Sequence, residues 1–153
     1  MKRICCVAAA LVLTASVVRA QDPAPRAVVP DSMKWAQNPN LLQGGETTLL
    51  AGKFTEAAPY AFRVRFPAGF RVMPHRHPDD RFYTVISGTW TIGIGETFDT
   101  TKVQAYPAGT VYFLPANTPH YHYAKDGPSV AQINAVGPTA TVYVRDEDDP
   151  RKR

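Results

Sequence analysis

Residues 60–77 read Tyr60-Ala61-Phe62-Arg63-Val64-Arg65-Phe66, then Pro67-Ala68-Gly69, then Phe70-Arg71-Val72-Met73-Pro74-His75-Arg76-His77. In the first run Tyr60, Phe62, Val64 and Phe66 alternate with Ala61, Arg63 and Arg65. A period of two sends successive side chains to opposite faces of a β-strand, so one face goes to a core and the face with the two arginines goes to solvent. Pro67-Ala68-Gly69 carries turn chemistry, and Val72 to His77 returns as a second strand.

Working outward, the same reading predicts short strands on both sides. Thr47 to Gly52 precedes, after a Gln43-Gly44-Gly45 turn. Phe82 to Ile86 follows, and after Ser87-Gly88 the residues Trp90, Ile92 and Ile94 alternate with Thr91, Gly93 and Gly95. Thr110 to Leu114, Tyr121 to Ala124, Val130 to Val136 and Thr141 to Val144 complete the set. Fourteen prolines and ten glycines in 153 residues supply the turns that so many short strands need. With no long helical pattern and no internal repeat, the expectation is one all-β antiparallel sandwich or barrel over residues 35–151. At 44% hydrophobic and 20% charged residues, the chain is ordinary for a globular domain with a proper core.

All four histidines fall in two His-x-His segments, His75-Arg76-His77 and His120-Tyr121-His122. On a strand, residues two apart lie roughly 6.6 Å apart on one face. Imidazoles leaning together from that spacing can share one metal, whose nitrogen bonds are about 2.0–2.1 Å long. Scattered surface histidines are the competing reading. Two such pairs, with no histidine elsewhere, favour a metal site or its remnant.

The surrounding spacing carries a family resemblance. Gly69 precedes His75 with five residues between, and Gly88 closes that segment; Gly109 precedes Pro115 with five between, and Asn117 and His120 follow. This resembles the two cupin motifs, Gly-x5-His-x-His-x3-Glu-x6-Gly and Gly-x5-Pro-x-Gly-x2-His-x3-Asn. Pro67-Ala68-Gly69, Ser87-Gly88-Thr89, Gly93-Ile94-Gly95, Tyr143-Val144 and Asp148-Asp149-Pro150-Arg151 are similar to runs in small secreted single-domain cupins, over about residues 35–151. The resemblance implies an antiparallel jelly-roll barrel. Matched residue by residue, it implies His75, His77 and His120 as metal ligands. His122, two residues on, is either a fourth ligand or a wall residue hydrogen-bonded to a neighbour. The ion would be a divalent transition metal such as zinc, iron, manganese, nickel or copper.

Three positions depart from the pattern: Arg81 stands where the motif has its glutamate ligand, Asn117 where it has glycine, and Ala124 where it has asparagine. Asn117 is a mild change, since asparagine tolerates the left-handed backbone region. Arg81 is not, because a fixed cation aimed at a metal repels it. Three readings of Arg81 follow: it points outward and leaves a three-histidine site, it points inward and holds an anionic substrate such as a carboxylate, or it marks a site that has lost its metal. Asp79 and Asp80, after Pro78, read as a solvated turn. Tyr83 and Tyr121 read as core or wall residues. Gln132 and Asn134 face either the cavity or solvent.

Residues 1–20 read as a secretory leader, with Lys2 and Arg3 at the start, an apolar run from Cys5 to Val18, and Val18-Arg19-Ala20 before a cut at Gln21. The run is too short to span a membrane. Cys5 and Cys6 would leave with it, so the mature chain would carry no thiol or disulfide. Of 17 Lys and Arg, Lys2, Arg3 and Arg19 also leave, so 14 face 13 Asp and Glu for a net charge of +1. That balance gives nucleic-acid binding no support. Residues 21–34 are proline-rich and read as an irregular arm, with Trp35 as the first packed or covering residue.

The expected protein is secreted or periplasmic, free of the membrane after cleavage, and takes a small-molecule ligand or substrate; a homodimer is compatible with it. Two functions suit the site: a dioxygenase-like or other metalloenzyme with open coordination positions, or a non-catalytic module that captures a metal or small ligand.

Overall fold

The computed structural model describes residues 25–153. The expected leader over 1–20, with both cysteines, lies outside the described residues. Residues 25–29 have no regular structure, and Pro30–Ser32 makes one 3-10 turn. No described helix is long and apolar enough to cross a membrane.

Eleven strands follow: β1 (Ala36–Gln37), β2 (Glu46–Ala51), β3 (Pro59–Phe66), β4 (Arg71–Arg76), β5 (Arg81–Ser87), β6 (Thr89–Ile94), β7 (Gln104–Pro107), β8 (Val111–Leu114), β9 (His120–Tyr123), β10 (Ser129–Val136) and β11 (Val142–Tyr143). They form a six-stranded sheet in the order β1-β2-β3-β10-β5-β8 and a five-stranded sheet in the order β11-β4-β9-β6-β7. The pairings are antiparallel, as the sequence led us to expect. Strands β1 and β7 were not anticipated. One is two residues long, and β7 is an exposed edge strand whose Gln-Ala-Tyr-Pro has no apolar alternation and pairs only with β6.

Strand β3 buries the residues its period selects, Tyr60, Phe62, Val64 and Phe66, while Arg63 and Arg65 stay outside. Arg65 covers the Trp35 ring at 4.4 Å, so Trp35 is a covering residue. Phe66 stacks on Phe70 at 4.8 Å and on Trp90 at 5.0 Å between the sheets. Burying each such ring stabilises the fold by about 1.5–3 kcal/mol.

Strand β6 differs from its simple alternation. Thr91 and Gly93 are buried as well as Trp90 and Ile92, and Ile94 is exposed. The reason is Tyr121, which lies opposite Gly93 and packs on it under Phe98. A Cβ on Gly93 would sit 2.2 Å from the tyrosine ring, so only glycine leaves room. Tyr121 is thereby a buried residue on the side of its strand away from the histidines. Gln132 and Asn134 bond each other at 3.2 Å, and Arg63 donates to Gln132 at 3.1 Å, which places them on the outer face of β10 rather than in the cavity.

Candidate metal centre

Strand β9 carries His120 and His122, β4 carries His75 near its end, and His77 stands one residue beyond it. The two strands pair with Val72 opposite His122 and His75 opposite His120. Three residue steps on β4 thus face two on β9, and one extra residue bulges out at Met73-Pro74. Strict alternation would turn His75 away from the face that Val72 occupies. A bulge reverses the phase, and Val72, His75 and His77 all line one cavity. Pro74 suits the bulge because it has no N–H to give a regular ladder.

The loop that follows the first pair is fastened to the loop that precedes the second. Asn117 donates from its backbone N–H to the His77 carbonyl at 2.7 Å, from a left-handed backbone at φ 60°. That is the conformation expected of a residue in the motif's glycine position. Asp80 accepts from the Ala116 N–H at 2.6 Å, so it is an exposed turn residue with a structural bond.

His75, His77 and His120 bring one ring nitrogen each within 4.8 Å of one another. Ring centroids are 4.2 Å apart for His75 and His120, and 4.8 Å for His75 and His77. Small ring rotations from there reach the metal–nitrogen bond length of about 2.0–2.1 Å. His122 stands outside this group. Its ring lies 4.8 Å from Trp90 and 6.0 Å from His75, in the aromatic wall of the cavity.

Every imidazole is oriented the same way. Nδ1 of His75 meets the Met73 carbonyl at 2.8 Å, that of His77 meets Ala140 at 2.7 Å, that of His120 meets Thr118 at 3.0 Å, and that of His122 meets Thr91 at 3.1 Å. A carbonyl only accepts, so each Nδ1 carries the proton and each Nε2 keeps a lone pair. His120 Nε2 is fully buried with no hydrogen-bond partner. An orphaned buried acceptor costs about 1–3 kcal/mol, and a metal ion is what such a lone pair accommodates.

Burial holds all four rings neutral. It lowers His75 to about 4 and His122 to about 3, each with a further push from neighbouring positive charge. His77 is held well below the ordinary range by burial, then by Arg81 and His75. His120 is lowered likewise by burial, then by the surrounding imidazoles. Neutral imidazoles are the form that binds metal.

Of the three readings of Arg81, the outward one falls and the side chain points inward: it is 6% exposed and lines the histidine cavity. Asp79 requires a correction: it is not a solvated turn residue. Its Oδ2 accepts from Arg81 Nε at 2.9 Å and from the Tyr60 hydroxyl at 2.6 Å. Arg81 Nη2 also donates to Thr139 Oγ1 at 2.7 Å, and that hydroxyl donates to Asp79 Oδ1. The physical reason is compensation: a buried guanidinium is tolerated only when a buried carboxylate and further hydrogen bonds meet it. Burial works against the Arg81 charge, but the Tyr83 and Tyr60 phenols and Asp79 outweigh it and raise the pKa. Burial pushes the Tyr60 phenol up to about 12, so it stays a donor.

Tyr60 and Thr139 were missed as members of this network. A tyrosine on the core face of β3 was the available signal, since a buried phenol needs a partner. Thr139 offered none, because it reaches Asp79 from a loop 60 residues away.

The cavity has a volume of about 140 Å³ and lies between the sheets. Phe62, Phe66, Tyr83 and Trp90 form its aromatic wall; Asn40 and Thr141 border it from two loops. Arg151 ties those loops together, donating to Asn40 Oδ1 and to the Thr141 carbonyl at 3.0 Å each. Asp149 holds Arg151 in place at 2.7 Å. This gives the closing Asp-Pro-Arg run a structural purpose.

Two packed antiparallel sheets with inward histidines from β4 and β9 define a cupin, and the sequence agrees: residues 62–133 match the cupin domain family. The chain belongs to the cupin superfamily.

Solved structures with a similar fold include the DMSP lyase DddQ from Ruegeria pomeroyi, at 20% identity and a TM-score of 0.59, over 73% of this chain and 61% of that one. The polyketide cyclase RemF from Streptomyces resistomycificus is similar at 14% identity and a TM-score of 0.68, over 84% and 91%. Oxalate oxidase is similar at 20% identity and a TM-score of 0.54, over 71% and 59%. The chain therefore spans about three fifths of the lyase and of the oxidase. No curated protein matches the sequence. At these identities the likeness is one of fold.

Proposed function

We propose that this protein is a secreted or periplasmic metal-binding cupin that acts on, or holds, a small molecule at a three-histidine centre. The observation that carries the reading is the shared orientation of the histidines. Backbone carbonyls take every Nδ1 proton, and His120 Nε2 is left buried without a partner. His75, His77 and His120 would hold a divalent transition metal, with His122 beside them in the wall. The ion would supply Lewis-acid or redox chemistry at positions the protein leaves open. The chain's own residues would enclose the ligand: Phe62, Phe66 and Trp90 exclude water, and Arg81 sets the charge. Three protein ligands favour an enzyme over a closed storage site.

A non-catalytic capture module is the second reading. It is favoured by the lack of a free carboxylate base among the described residues that line the cavity, the nearby Asp79 being engaged by Arg81, Tyr60 and Thr139.

Metal analysis of the purified protein tests both. One equivalent of metal, with exchangeable water at the ion by cobalt-substitution spectroscopy, supports the enzyme; a coordinatively closed ion supports capture; no metal after loading sinks the site. Fractionation and intact-mass analysis test export: the mature form should begin at Gln21, and a retained Cys5 would count against it.

A further inference from the structure

The cavity pairs two unfilled acceptor and donor sets. On one side are imidazole lone pairs, among them His120 Nε2 with no partner. On the other are donors. Arg81 uses Nε and Nη2 on Asp79 and Thr139 and also reaches the Tyr83 phenol, which together take three of the five N–H groups of a guanidinium and leave two for a ligand. Trp90 lines the cavity with its ring alone: its indole N–H has no acceptor and is shut off from the cavity by the packing around it. A cation satisfies the first set, and only an acceptor-rich ligand satisfies the second.

Charge points the same way. Three neutral imidazoles leave a divalent ion its full double charge, where a glutamate ligand would have cancelled half of the excess. In this chain that position is Arg81, offset by Asp79 alone. The remaining positive charge sits in a cavity walled by Phe62, Phe66 and Trp90, where low dielectric magnifies it. The cavity is half-open, and its volume of about 140 Å³ has room for the body of a ligand of about six non-hydrogen atoms, since an enclosed cavity of about 150 Å³ holds benzene.

We propose that the cavity takes a small monocarboxylate, its carboxylate received by Arg81 and its short apolar body lodged against Phe62 and Phe66. This deepens the metal-centre reading by naming the ligand class, and it rests on that reading for the role of the ion. Arg81 is suited to the task because its planar fork matches a carboxylate, and Asp79 and Thr139 lock the fork's orientation.

The test compares butyrate with butyramide, which have the same shape and differ in charge, by calorimetry on metal-free and zinc-loaded protein. The metal-free parent should prefer butyrate by at least about tenfold, because Arg81 is the receiving charge, and zinc should widen the gap. The Asp79→Asn/Arg81→Gln double variant removes both charges without stranding either, and should abolish the metal-free preference. Equal affinity of the parent for the two ligands, no binding of either, or a preference that survives in the double variant overturns the proposal. If zinc does not bind at all, the metal reading falls, and the metal-free comparison still decides this one.

Discussion

Arg81 Nε and Asp79 Oδ2 lie 2.9 Å apart inside the fold, with 7% and 2% of their side chains exposed. The pair occupies the place where the resembling motif carries a single metal-binding glutamate. A buried pair is weak support for stability in itself, but breaking it is costly. Asp79→Ala should destabilise the metal-free protein by about 3–5 kcal/mol, because it leaves a buried cation unmatched. Asp79→Ala combined with Arg81→Met should cost clearly less. Urea denaturation of the three proteins reads this, and a single-variant loss under about 1 kcal/mol contradicts the buried pairing.

Converting the pair back toward the motif should strengthen the metal centre. Arg81→Glu alone would set two carboxylates together beside Tyr60, so the informative variant is Asp79→Asn/Arg81→Glu. It supplies a carboxylate and removes a facing cation. Zinc affinity, followed by competition with a chromophoric chelator, should rise by tenfold or more; an unchanged affinity means position 81 does not reach the ion.

The histidines should separate into two groups. His75→Ala, His77→Ala and His120→Ala should each lower zinc affinity by orders of magnitude, since each removes one of the three clustered nitrogens. His122→Phe should keep a full equivalent of zinc and lose at most about tenfold to hundredfold in affinity, as expected of a neighbour to the ligands. Loss of stoichiometry in His122→Phe would make it a fourth ligand.

The stability of the metal-free protein should fall in mild acid. Burial lowers His75 to about 4 and His122 to about 3 in the folded state, against about 6.5 when unfolded. Between those values the unfolded chain binds more protons, so acid favours unfolding. The contribution of these groups is complete above about pH 6.5 and is lost progressively down to about pH 3–4. Denaturation midpoints measured from pH 8 to pH 4 should decline below pH 6.5, and a flat profile contradicts neutral burial of the rings.

Removing Arg151 should loosen the cavity's border more than the fold. Its side chain is 41% exposed, so the ion pair with Asp149 adds little to global stability. Arg151→Ala should shift the denaturation free energy by about 1 kcal/mol or less. Hydrogen exchange should nevertheless quicken at residues 40–42 and 139–141, where Arg151 bonds Asn40 and Thr141. Unaltered exchange there would show that other contacts hold these loops.

The sequence alone carried the β-strands other than β1 and β7, and the identity of the histidine pairs. The alternation in Tyr60 to Phe66 is a local signal, because side-chain direction along a strand depends only on the backbone period. The turn residues likewise act within a few positions of themselves, and Asn117 adopts the left-handed backbone its place in the motif implied. What alternation could not decide was the direction of His75. That depends on a bulge at Met73-Pro74, and bulge placement follows from the register between β4 and β9, which are more than 40 residues apart in the chain. The same holds for Arg81 and Asp79. Local composition made Asp79 and Asp80 after Pro78 a surface turn and left the direction of Arg81 open, and Asp80 is such a turn residue. Its neighbours are inside because Tyr60 and Thr139 arrive from opposite ends of the domain to satisfy them. A charge's burial depends on partners supplied by the whole fold, and only the tertiary structure brings those partners together.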